Sequence, residues 1–83
     1  MKESNRGKAG IWADHLGGAF IGCESLLNDL EYDSATDAEI ENIVAASNLI
    51  DWAIELLNSV YKGTADEYRD KEHAVWKRKL MDK

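Results

Sequence analysis

Proline is absent from the 83 residues, cysteine occurs once, and no lysine or arginine appears between Ala9 and Tyr61. Each absence excludes something. Without proline, nothing forces a break inside a helix. A lone Cys23 rules out an intrachain disulfide and favours a reducing compartment. His15 and His73 are the only histidines, so no His/Cys set for a structural zinc exists and no metal or cofactor is expected. No uninterrupted run approaches the ~18 apolar residues of a membrane span. The apolar stretch after Lys8 is interrupted by Asp14 and His15, contains Gly17, Gly18 and Gly22, and lacks a convincing signal-peptidase site. The expectation is a cytoplasmic protein with no membrane attachment.

What is present is helical pattern. A chain of this length is one domain, spanning 1–83, and buries only about 60–65% of its unfolded surface, so its core needs a supplement. With disulfide and zinc excluded, that supplement is association. Trp12, Leu16, Ala19, Cys23, Leu26 and Leu30 recur at alternating spacings of four and three, with Phe20 and Leu27 widening the seam. They predict a first helix over about 9–31, after a flexible segment 1–8. Thr36-Asp37-Ala38-Glu39 has the pattern of a capping box and opens a second helix over 37–62. Its seam of Ile43, Ala46, Ile50, Ala53, Leu57 and Val60 is broadened by Leu49, Trp52, Ile54 and Leu56, too wide for one neighbour. Gly63 suits a left-handed cap. Thr64 to Glu67 repeats the box and starts a third helix over 65–81, whose sparse apolar face is Tyr68, Val75, Trp76 and Leu80. The fold expected is all-α: a long antiparallel hairpin plus a shorter C-terminal helix, a three-helix domain or, paired with a second copy, a dimeric bundle.

Gly17, Gly18 and Gly22 sit inside the first helix, where each costs roughly 1 kcal/mol against alanine. Gly18-x-x-x-Gly22, with Ala9, Ala13 and Gly17 on the adjacent ridge, lets another backbone approach closely. That approach is either tight packing within the chain or contact with a second one.

Charge carries the functional signal. The net charge is −6, but the stretch from Ala9 to Tyr61 alone holds ten acids and no base, a formal −10, while each end contributes +2. Six carboxylates cluster from Asp29 to Glu41 around the predicted turn. Such a one-signed field repels nucleic acid and attracts basic surfaces. Asp29, Glu31, Asp33, Asp37, Glu41, Asp51 and Glu55 are therefore the candidate partner-binding residues, the partner being a basic protein, including one whose groove otherwise holds nucleic acid. The alternative is an adaptor that binds through apolar residues, with Trp52, Leu49, Leu56, Gly18 and Gly22 as its interface.

Other chemistry fares poorly. Asp29, Glu31 and Asp33 have the one-three-five spacing of a calcium loop, but Ser34 replaces its glycine and Ile40 its bidentate glutamate. The basic Lys77-Arg78-Lys79 beside Trp76 suits phosphate contact, yet a helix C-terminus explains it more simply, and no direct nucleic-acid binding is expected. Neither histidine lies in a catalytic motif, and Cys23 on a seam reads as a packed thiol. The chain is expected to be non-enzymatic. In size, acidity and helical simplicity it resembles the small accessory proteins with which phages block host machinery; that resemblance implies an inhibitor or regulator and extends to no individual residue.

Overall fold

A computed structural model of the chain describes residues 1–30 and 34–71. These residues are all-α and form three helices: α1 (Glu3–Asp29), α2 (Asp37–Lys62) and α3 (Ala65–Lys71). The two long helices are antiparallel. Gly10, near the start of α1, lies against the ring of Tyr61 near the end of α2, and the Arg6 guanidinium reaches Gly63.

Local chemistry sets the ends. The Thr36 N–H donates to Glu39 Oε1 at 2.9 Å and the Glu39 N–H donates to Thr36 Oγ1 at 3.1 Å, the capping box foreseen from sequence. The Thr36 N–H, and then the Thr36 hydroxyl, hold the Glu39 carboxyl below its ordinary value. At the other end Gly63 takes φ 74° and ψ 23°. Its N–H donates to Val60 O at 3.1 Å and that of Thr64 to Ser59 O at 2.8 Å, closing the helix with a Schellman pair. The Tyr68 N–H donates to Thr64 O at 2.9 Å and begins α3.

Two features of α1 depart from the sequence expectation. The segment 1–8 is not a flexible lead-in: the helix begins at Glu3, with the N–H groups of Asn5 and Arg6 donating to Lys2 O and Arg6 paired with Glu3 at 3.5 Å. α1 thereby runs for 27 residues beside the 26 of α2. The buried face is also rotated. Ala9 and Ala13 are buried and Leu16, Phe20, Cys23, Leu27 and Leu30 half-buried, whereas Trp12, Ala19 and Leu26 of the expected seam are exposed. Ala9 and Ala13 are the buried residues of this side, Leu16, Phe20 and Leu27 line it half-buried, and Trp12 and Leu26 are left outside.

α2 packs against both α1 and α3, as the width of its stripe requires. Ile43, Ala46, Ile50, Ile54 and Leu57 share the side toward α1. Ser59 lies on the opposite side yet is buried, its Oγ donating to Leu56 O at 2.6 Å. The Tyr68 hydroxyl of α3 donates to Glu55 Oε2 at 3.1 Å, so α3 folds back along α2 on the side away from α1. The described helices form a single layer, and the Cα envelope of the chain measures 48 × 26 × 11 Å. Val75, Trp76, Leu80 and the rest of the expected third helix lie outside the described residues.

Candidate functional site

In so flat an arrangement each long helix presents one side to its neighbour and one to each broad face. A residue turns by about 100° from the one before it. Both helices are right-handed and antiparallel, and this fixes which sides share a face. Trp12, Ala19 and Leu26 of α1 stand on the same face as Leu49, Ala53 and Val60 of α2, with Leu56 at that face's margin. Asp14, Ile21 and Glu24 of α1 stand on the other, with Asp37, Asp51 and Glu55 of α2.

The faces differ in charge. From Trp12 to Leu30 and from Asn42 to Val60, the first carries no ionisable acid or base except His15 at its margin. The second holds the carboxylates. On α2, Asp37, Glu41, Asp51 and Glu55 occupy a strip less than a quarter-turn wide that runs about 27 Å along the axis. Asp37, Glu41 and Glu55 are exposed and Asp51 half-buried. Among the described residues none of the four is ion-paired, and the Tyr68 hydroxyl on Glu55 keeps that carboxylate oriented.

The other candidates are placed as follows. Asp29 is exposed at the end of α1, at the layer's outer edge. Glu31 and Asp33 lie outside the described residues, as do His73 and Lys77-Arg78-Lys79. Trp52 is half-buried on the side of α2 away from α1, next to Leu49 at the i, i+3 spacing. Gly18 and Gly22 are exposed on the outer edge of α1. Among the described residues a Cβ built on Gly17, Gly18 or Gly22 meets nothing within 4 Å, so packing against α2 does not account for these glycines. The glycine that a close approach does require is Gly10, where a Cβ would come within 2.7 Å of Tyr61 Cδ1. Sequence reasoning passed over it because it precedes the apolar periodicity.

Among the described residues no group of three or more His, Cys, Asp or Glu side chains comes together to hold a metal ion. The rings of His15 and Trp12 lie 5.2 Å apart, tilted by 47°, and Cys23 is free and half-buried. Over an 18-residue window α2 reaches a mean hydropathy of 1.2, so one helix is long and apolar enough to cross a membrane by length and composition. The sequence expectation, drawn from uninterrupted runs alone, missed this because Asp51 and Glu55 break the run. No known protein family, no curated protein and no solved structure matches the chain.

Proposed function

We propose that the chain is a non-catalytic protein-binding regulator that docks its acidic face on a basic partner surface. The observation that carries the reading is the sorting of carboxylates. Asp14, Glu24, Asp37, Asp51 and Glu55 come from two helices yet share one broad face, and Asp37, Glu41, Asp51 and Glu55 form a strip without an ion pair among the described residues. Solubility alone asks only for scattered charge; a one-sided field steers a complementary surface into a single orientation and raises its association rate. A protein whose basic groove otherwise holds nucleic acid presents such a surface, and blocking that groove is the regulatory outcome in view.

The test is capture of partners from the native host on immobilised wild-type chain, identified by mass spectrometry and eluted by salt. The Glu41→Lys/Asp51→Lys double variant leaves both the Thr36–Glu39 cap and the Tyr68–Glu55 bond in place. It is expected to keep its helicity and to lose the partner chiefly through slower association. A partner that elutes independently of salt, binds the double variant normally and is lost on Leu56→Ala would replace this reading with the apolar adaptor.

A further inference from the structure

The chain exposes 6355 Å². A compact protein of its 9.3 kDa mass exposes roughly 5,000 Å² and has a radius of gyration of about 12 Å, against the 15.1 Å observed. The only buried apolar residues among those described are Ala9 and Ala13, and none of the described side chains is fully enclosed. Helical domains close their cores by setting one layer on another, and the described residues form one layer. The surplus surface, roughly 1,400 Å² by that scaling, exceeds the roughly 800 Å² that each partner contributes to a standard stable interface.

The composition of the faces says where the second layer goes. Trp12, Leu26 and Leu49, which are 61%, 46% and 47% exposed, stand on the face without carboxylates. A basic partner has no charge to meet there. Two copies of the chain can meet there without opposing their acids, whereas contact through the other face sets two hairpins of −10 against each other. A two-fold contact needs one patch to complement itself, which an apolar patch free of carboxylates does. We propose that this face is the interface with a second copy of the chain, two layers stacked back to back with their acidic faces outward. The site is the α1–α2 face bearing Trp12, Leu26 and Leu49, and the dimer presents an acidic face on each side.

Sedimentation equilibrium of the full chain, from low-micromolar to near-millimolar concentration, is expected to show a species of twice 9.3 kDa at the upper end. Leu49→Lys and Leu26→Lys are each expected to weaken association at least ~tenfold. Val44→Lys, at a similarly exposed position on the acidic face, should associate as the wild type does. Helicity by circular dichroism shows which variants remain folded. Methyl chemical shifts of the wild-type chain on dilution read the interface without any substitution: Leu26 and Leu49 should move, and Ile40 and Val44 should not. A wild-type chain that stays at 9.3 kDa throughout overturns the proposal. So does dilution moving Ile40 and Val44 in place of Leu26 and Leu49. A monomer that floats with phosphatidylcholine vesicles overturns it in favour of a lipid surface on the same face.

Discussion

Gly18→Ala should stabilise the protein. The glycine sits in mid-helix, its backbone φ is not positive, and a Cβ built there meets nothing within 4 Å, so the substitution adds no clash. What remains is the difference in helix propensity, about 0.8–1.0 kcal/mol in favour of alanine. For a domain of this size that raises the melting temperature by about 4–8 °C. Gly17→Ala is expected to do the same, and the pair to add, because neither methyl group has a neighbour to share. Two other glycines serve as internal controls. At Gly10 the new Cβ would lie 2.7 Å from Tyr61 Cδ1, so the ring must shift and much of the propensity gain is lost. At Gly63, with φ 74°, an alanine is forced into the left-handed region at a cost of roughly 1–2 kcal/mol. Thermal melts followed at 222 nm, at one protein concentration, rank the four variants. A fall in melting temperature for Gly18→Ala would refute the reasoning, because it would mean that something packs against the outer edge of α1 in solution.

Three further outcomes follow from the structure. The Glu39 carboxyl is held low by its hydrogen bonds to Thr36, so the cap's contribution is present above the ordinary glutamate range and is lost as pH falls through the depressed value; Glu39→Gln should remove that part of the acid dependence of helicity, and an unchanged acid titration would count against the cap. Ala13, 3% exposed between the long helices, has no room to grow, and Ala13→Leu should cost about 1–3 kcal/mol in urea unfolding, while a neutral result would show that the helices stand further apart. Cys23 is half-buried, so its thiol should react with a thiol reagent more slowly in the native chain than in denaturant, and equal rates would place it outside the α1–α2 contact.

The features that the sequence made legible were the local ones. Thr36, Glu39 and Gly63 announce helix ends because capping depends on neighbours within a few residues, and the structure places all three as read. The register of α1 was not legible. Periodicity marks Trp12, Leu26 and Ala13 alike as apolar, and cannot distinguish a side chain that meets its own chain from one left open. The contact took Ala9 and Ala13, with Leu16, Phe20 and Leu27 half-buried beside them, and left Trp12 and Leu26 outside. The start of α1 was hidden as well, because Met1 to Lys8 has no apolar rhythm from which a helix could be read. Of the acidic site, the four-residue spacings of Asp37 with Glu41 and Asp51 with Glu55 could be read directly. That Asp14 and Glu24 join Asp37, Asp51 and Glu55 on one face could not, since it depends on how two helices are turned toward each other.

A layer one helix thick also fails to insulate its two surfaces from each other. Their side chains are separated by about a helix diameter, ~10 Å, close to the ~8 Å screening distance of physiological salt. The field of Asp14, Asp37, Asp51 and Glu55 therefore reaches through the layer, and a second −6 chain approaching the uncharged side is met by it. Added salt should ease that approach while weakening the pull of the acidic side on a basic surface, so ionic strength drives self-association and partner capture in opposite directions.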